Sequence, residues 1–406
     1  MRSLVTSAIP PLSEWPALIW RALINGRAAW LVVFSSAALT LLGIYSIDVA
    51  TNLQPSVETP FSVAATKQSI YAAVGVLFAL ALLIPNYRLY GAMSWVLLFA
   101  AVGLLVFLLI PYVPASIVRP RNGARGWIDL GPVDLQPSEF AKIAYVFVLA
   151  WYLRFRRNHR SLPGLLPPAI ITAIPVALIT LQPDLGTACL FVPALFSVLV
   201  AAGARLKHLA FIVLIAGLAA PAAYPILKPH QKERFVGLVK QMRGDTSADQ
   251  DINMQAVTAQ RLAGAGGVEG VEDSHSRALL HFNALPERHN DMIFSVICNR
   301  FGYFGGLATI GLYAMWIVGA LVTAAGAREP FGRLVCVGFM GFIAAQVFVN
   351  IGMNIGLLPI IGVTLPYVSH GGSSMLAVWG MTGVILGIAM RQPRSGGRSS
   401  FEWDDE

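Results

Sequence analysis

Charge is scarce in this chain. Only 12% of its 406 residues are Asp, Glu, Lys or Arg, against roughly 25% in soluble domains. With 56% hydrophobic residues and a mean hydropathy of +0.65, that shortage excludes a soluble globular domain and points to an all-α integral membrane protein. Cysteine is nearly absent. Cys189, Cys298 and Cys336 lie in apolar surroundings without ligand spacing, which excludes a disulfide framework and a zinc site. No P-loop or dinucleotide fingerprint is present, and no soluble segment is large enough for nucleotide-driven chemistry. An enzyme built on this chain needs a lipid-borne substrate that arrives activated. No internal repeat is visible, and an inverted repeat is the commonest mark of a secondary transporter. The first long apolar run starts at Ala28 without a clear small-residue cleavage site, which reads against a cleavable signal peptide.

The net charge is +8. Its positives fall mostly in short loops between apolar runs, so they report membrane orientation and not nucleic acid. At about 20 residues per span, ten spans are expected near 28–47, 68–84, 92–111, 137–153, 167–182, 185–203, 208–226, 301–325, 333–353 and 373–390. Arg154, Arg156, Arg157 and Arg160 follow span four. Arg205 and Lys207 follow span six, Arg328 and Arg333 span eight, and Arg391, Arg394 and Arg398 span ten. Placing these loops in the cytoplasm puts both termini inside. The chain then divides into a cytoplasmic segment 1–27, a polytopic domain 28–390 and a cytoplasmic tail 391–406. Residues 13–24, with Trp15, Trp20 and Arg21, are expected to form a short interfacial helix.

The outer loops become 48–67, 112–136, 227–291 and 354–372. The third, between helices seven and eight, is long for a bundle connection and suits a functional loop. It carries a Gly-Ala-Gly-Gly run at 264–267 read as flexible. The last opens with NIGMNIGLLPIIGVTLPYVSHGGSS from Asn350 to Ser374. Backbone this irregular cannot face lipid, where each unpaired group costs several kcal/mol. It lies at the surface or lines a cavity.

Several side chains could carry chemistry. Glu139 and Lys142 share a helix face at i, i+3, as an intramembrane functional pair or as a buried pair setting register. Asp184 caps the next helix or orients basic groups in a pocket. Asp291, crowded by Glu287, Arg288 and His289, suits general-base work at the membrane boundary or serves as a helix cap. Arg119, Arg121 and Arg125, with Trp127 beside them, and Arg234 lie on the outer side against the orientation rule. They fit pyrophosphate or anionic headgroups.

NGARGWIDLG with QPSEFAK across 122–142, QPDLGTA at 182–188, PERHNDMIF at 286–294 and the stretch at 350–374 together resemble the SEDS family of RodA, FtsW and their sporulation relatives. The resemblance runs from the third span to the tenth. It implies the ten-helix SEDS fold and a peptidoglycan glycosyltransferase that polymerises lipid II, the undecaprenyl-pyrophosphate disaccharide-pentapeptide, outside the bacterial cytoplasmic (inner) membrane. The implied partner is a class B penicillin-binding protein. The implied catalytic residue is Asp291, with Arg125, Trp127, Glu139, Lys142, Gln182, Asp184, Arg234, Glu287, Arg288, His289, Asn350, Ser369, Gly371 and Gly372 at the substrate. No certain cofactor is implied; a divalent cation, magnesium or manganese, at the pyrophosphate is the candidate.

The chain departs from the family pattern at Asn299 and Arg300, where two acids are usual. His370 stands where tyrosine is usual, and Val271 and Glu272 replace small or basic residues. These changes bear on charge near the site. FVNIGMNIGLLP and FGRLVCVG lean toward the RodA, elongation side over the FtsW side. A lipid II flippase and a silent scaffold of the elongation or division machinery are the competing readings; few deep charges argue against the first, and the retained Asp291 against the second.

Overall fold

The structure, a computed structural model, describes residues 27–55, 60–114, 116–118, 120, 124–131, 133–223, 229–243, 245, 253–283 and 285–392. The interfacial helix expected at 13–24 and most of the 391–406 tail lie outside them. The helices are α1 (Arg27–Thr51), α2 (Val63–Leu83), α3 (Tyr87–Ala92), α4 (Ser94–Leu109), α5 (Pro137–Leu153), α6 (Leu166–Leu181) and α7 (Leu185–Ala201). They continue as α8 (Leu206–Ala223), α9 (Pro229–Met242), α10 (Met254–Ala265), α11 (Asp273–Phe282), α12 (Ile293–Gly326), α13 (Pro330–Asn354) and α14 (Gly372–Ala389).

Every expected span coincides with a helix. Among the described residues, six segments are long and apolar enough to cross a membrane: α1, α2, Pro163–Leu181, α12, α13 and α14. Ser94–Leu109, Leu185–Ala201 and Leu206–Leu218 are shorter apolar helices. The tenth is α5, 17 residues long with Glu139 and Lys142 in its first turns. Span two starts five residues early, at Val63, where the Ser62 hydroxyl accepts from Ala65 N. Lys67 and Gln68 hide that start in the sequence, but Gln68 is fully buried and belongs to the helix. Span eight also starts early, at Ile293, and the expected start at 301 is next to a kink at Gly302 (φ 66°, ψ −160°).

Helix α5 is the centre of the bundle. It touches α4, α6, α7, α13 and α14, and all its residues from Ala141 to Ala150 are buried. Aromatic rings weld it to its neighbours: Tyr145 against Phe191 and Phe342, and Phe147 against Tyr90 and Phe339. Around it, α14 packs on α2, α1 on α12, and α13 on both α7 and α12.

The long loop is structured. Helices α9, α10 and α11 fall within it, and of the 264–267 run Gly266 is a packing contact, while a Cβ on Gly264 or Gly267 would meet nothing within 4 Å. A Cβ on Gly266 would lie 2.0 Å from the Cys298 carbonyl oxygen, and one on Gly270 2.3 Å from that of Arg300. The loop threads against the α12 kink and satisfies the backbone groups the kink frees. Tyr303 N donates to Gly267 O at 2.9 Å, and Val271 N to Asn299 O at 3.1 Å. Gly302 itself has a left-handed φ, and a Cβ there would meet Gly270 N at 2.4 Å, so no other residue fits without displacing the loop.

Two additions were not expected. Residues Ile128–Asp129 (β1) and Asp134–Leu135 (β2) pair as a small antiparallel ribbon in the first long outer loop. At the opposite end, Arg391 donates to Ile84 O (2.9 Å) and Gly387 O (2.7 Å), tying the start of the tail to the bundle.

Candidate active site

Three of the loops expected on the outer side, all but 48–67, converge with the α6–α7 turn on a cavity of about 1060 Å³. Its lining comes from the β1–β2 region, the α6–α7 turn, the segment before α12, and residues 359–364 and 370–374. The irregular stretch between α13 and α14 therefore lines a cavity in the protein, as the cost of lipid-exposed irregular backbone requires.

Asp291 lines this cavity, and the chain around it is gripped from two sides. On α13, Asn350 Nδ2 and Asn354 Nδ2 both donate to the Asp291 carbonyl, at 2.8 and 2.9 Å. Asn350 Nδ2 also donates to Val363 O at 2.7 Å, and Asn354 Oδ1 accepts from Ser295 Oγ at 2.7 Å. From the other side, Ser369 Oγ donates to Asn290 O at 2.7 Å and accepts from Leu365 N at 2.7 Å. His370 N donates to His289 O at 2.9 Å. The turn at Gly362 approaches the side chain, since a Cβ there would lie 3.5 Å from Asp291 Oδ2. Glu287 and Tyr367 hold φ of 52° and 66°. Strain of that kind, about 1–3 kcal/mol each, persists only where surroundings over-determine it. Tyr367 is so fixed: its hydroxyl bonds Val378 O at 2.9 Å and Thr382 Oγ1 at 2.8 Å.

Of the residues expected at the substrate, Trp127, Glu139, Asp184, Glu287, Gly371 and Gly372 line the cavity with Asp291. Asp184 does so while capping α7, its Oδ1 accepting from Thr187 N at 3.0 Å; burial pushes its carboxyl above the ordinary range despite that bond. Lys142 is fully buried and donates to Glu139 Oε1 at 2.8 Å. Among the described residues the other carboxylate oxygen of Glu139 has no hydrogen-bond partner.

The remaining expected residues do not line the cavity, and most of them build it. Gln182 donates to Leu105 O at 2.9 Å and joins α4 to the α6–α7 turn. Asn350 and Ser369 position the Asp291 segment, as described. Arg288 donates to Leu280 O at 2.6 Å, and burial lowers its guanidinium below the usual value. His289 contributes its carbonyl, and burial lowers its imidazole. Arg125 is not among the lining residues. Arg119, Arg121 and the side chain of Arg234 lie outside the described residues. Among the described lining residues there is no lysine or arginine, whereas Asp134, Glu139, Asp184, Glu287 and Asp291 supply five carboxylates.

The altered positions Asn299 and Arg300 also stay out of the cavity. Asn299 accepts from Ser276 Oγ at 2.7 Å and donates to Leu262 O at 2.8 Å. Arg300 donates to Tyr45 OH at 3.0 Å and Val271 O at 3.0 Å. Their change of charge is absorbed by the packing of the long loop.

Sequence reasoning missed Asn354, Gln68, Gln346 and Ser373. Asn354 was within reach, because Asn350 and Asn354 stand at i, i+4 on one helix face. Gln68 bridges Ser369 O (3.0 Å) and Gly371 N (3.1 Å), and Ser373 joins Asp134 O to Gln136 N at 2.7 and 2.9 Å. No local signal marks these two, since each acts on a segment hundreds of residues away. Gln346 lines the cavity, is buried, and has no partner for its Oε1.

Comparison with known proteins follows this geometry. The family model described as "Cell cycle protein", covering FtsW, RodA and SpoVE, matches residues 27–394. The probable peptidoglycan glycosyltransferase FtsW of Halorhodospira halophila is 32% identical over 403 residues, 97% of this chain and 96% of that protein. The peptidoglycan glycosyltransferase MrdB of Escherichia coli is 34% identical over 269 residues, 66% of this chain and 71% of that protein. A chain from a solved peptidoglycan synthase complex, described as coordinating polymerization and crosslinking, superposes with a TM-score of 0.74 at 30% identity. The match covers 89% of this chain and 97% of that one.

Proposed function

This chain belongs to the FtsW, RodA and SpoVE family and is a multi-pass membrane peptidoglycan glycosyltransferase, and from that premise we propose that Asp291 is its catalytic base and lipid II its substrate. The observation that carries the assignment is the gripped segment: Asp291 lines the cavity while its own carbonyl is held by two asparagines. A base works best when its position is set before substrate arrives. The Asp291 carboxylate takes the proton from the 4-hydroxyl of the acceptor sugar. That oxygen forms a bond to the anomeric carbon of the donor, and the bond from that carbon to the lipid pyrophosphate breaks with inversion. A positioned base contributes about 10²–10⁴-fold.

The pyrophosphate needs cationic partners, and the described lining supplies none. Arg119, Arg121 and Arg234 of the outer loops are our assignment from the sequence. Among the described residues no group of three or more His, Cys, Asp and Glu side chains is placed to hold a metal ion. We assign magnesium or manganese to the substrate's pyrophosphate, where the cation would offset charge on the leaving group.

The wider reading follows the same premise. The membrane is the bacterial cytoplasmic membrane, both termini face the cytoplasm, and the cavity opens outward; the basic short loops support this. A class B penicillin-binding protein is the crosslinking partner, supported by the likeness to a chain of a polymerising and crosslinking complex. FGRLVCVG and FVNIGMNIGLLP, at the two ends of span nine, support an elongation role of the RodA kind.

The test gives purified full-length protein lipid II, with and without the partner. Strand formation abolished by Asp291→Ala is the expected result. Labelled lipid crossing liposomes without polymer would establish a flippase instead. Neither activity, with the partner complex intact, would establish a scaffold.

A further inference from the structure

We infer that His370 is a substrate-binding residue that presents an uncharged Nε2–H donor to an oxygen of the saccharide in the cavity. The inference rests on the reading of that cavity as the glycosyl-transfer site.

Three observations on the ring lead there. His370 lines the cavity, beside Gly371 and the segment that carries Asp291. Its Nδ1 is buried and meets no hydrogen-bonding group among the described residues. A buried N–H without an acceptor costs about 1–3 kcal/mol and is rarer than a bare acceptor. The neutral ring therefore carries its proton on Nε2. That nitrogen is not among the buried unpartnered atoms and makes no hydrogen bond with the described residues, so it is the face the ring turns to the cavity.

The surroundings keep the ring neutral. Burial first, then His289 on the Asp291 segment and Lys67 on α2, push the imidazole down to about 4. The Tyr71 ring from α2 packs at 6.0 Å and the His289 ring at 5.7 Å. His370 is thus a donor that brings no positive charge.

The cavity fits a sugar better than a phosphate at this point. Its described lining combines five carboxylates with Trp127, Tyr71 and the amides of Gln136, Gln255, Asn290 and Gln346. Carboxylates accept from hydroxyls, amides and an imidazole donate to sugar oxygens, and rings cover the apolar face. A phosphate oxygen in the same place would face the carboxylates.

Substitutions separate the two ring nitrogens. In His370→Gln the amide nitrogen reaches the place of Nε2; in His370→Asn it falls near Nδ1; His370→Phe has no donor. The assay is polymerisation of undecaprenyl-pyrophosphate disaccharide-pentapeptide by the full-length protein. His370→Gln should keep KM within about threefold of the parent, and the Asn and Phe variants should raise KM about tenfold, the worth of one net hydrogen bond, with kcat changed far less. Nitrogen-15 shifts of the imidazole, recorded without substrate and assigned by difference from His370→Gln, should show the Nε2–H tautomer. The Nδ1–H tautomer, an unchanged KM in His370→Phe, or equal losses in the Gln and Phe variants would each overturn the proposal. If Asp291→Asn polymerises at full speed, the reading of the cavity is what fails; the tautomer is still decided by the spectrum alone.

Discussion

Arg277 and Asp291 stand fourteen residues apart in the sequence, yet their surroundings are built on opposite rules. Arg277 is buried among partners. It bonds Asp48 Oδ2 at 2.9 Å, Asp273 Oδ2 at 2.6 Å and Asn52 O at 2.8 Å. Asp273 in turn accepts from Tyr45 OH at 2.7 Å. Although burial acts to raise it, Arg277, Tyr45 and Arg300 hold the Asp273 carboxyl below the usual range. This network clamps α11 to α1 and to the kink of α12, and its charges cancel inside it. The cavity around Asp291 shows the reverse: many carboxylates, and no lysine or arginine in its described lining. A frame closes its electrostatics on itself, whereas a site leaves complementary chemistry for a ligand to supply. Arg288 joins the two, since it reaches from the Asp291 segment to Leu280 O on α11.

The sharpest way to break this contrast is to exchange the effects of its two centres. Asp291→Asn keeps the carbonyl grips and removes the base. Polymerisation should fall about 10²–10⁴-fold, with the thermal midpoint close to that of the parent; full activity in a strand-formation assay would sink the assignment. Arg277→Met should do the opposite. It strands Asp48, which is only 3% exposed, and breaking a buried pair from one side costs about 3–5 kcal/mol. Thermal unfolding in detergent should show the loss, and Asp48→Asn in the same chain should restore part of it. If Arg277→Met unfolds like the parent, the network is not the frame.

Smaller effects refine the boundary between frame and site. Asn350→Leu removes one grip on the Asp291 carbonyl and one on Val363. The expected change is about 1–3 kcal/mol, read as a lower kcat with KM nearly constant, because the base is displaced and not the substrate. The histidines give a pH signature. Folding lowers both His289 and His370, the latter to about 4, from an unfolded value near 6.5. Below about 6.5 the unfolded chain binds more protons, so stability falls as the pH drops toward 4 and is level above that window. Unfolding of His370→Phe should depend less on pH there. Smallest of all is Arg88→Ala. Its exposed pair with Glu329 lies on the other side of the bundle, and its loss should shift stability by less than about 1 kcal/mol.

How far the fold was legible follows from where the information lies. Spans announced themselves through length and hydropathy, α5 among them despite Glu139 and Lys142, but its central place in the bundle left no signal. The kink at Gly302 was visible only as a late start. In the long loop the packing role of Gly266 was hidden, because glycine that permits motion and glycine that permits contact look alike in a sequence. The catalytic candidate was legible through its neighbours in the chain, while the grip of Asn354 on its carbonyl was not sought. Arg288, Gln182 and Asn350 were legible as important but not as supports, since a polar side chain does not announce whether it will turn to a ligand or to a carbonyl.

Composition and patterning by themselves determined the membrane class, the helices and the four motif blocks, because hydrophobic length and residue type are local properties of the chain. Only the tertiary structure decided which polar groups meet. Asn350 and Asn354 reach Asp291, and Gln68 reaches Ser369 and Gly371, across long sequence separations. Those pairings come from helix packing that brings irregular backbone inside the bundle, where every N–H and C=O must find a partner.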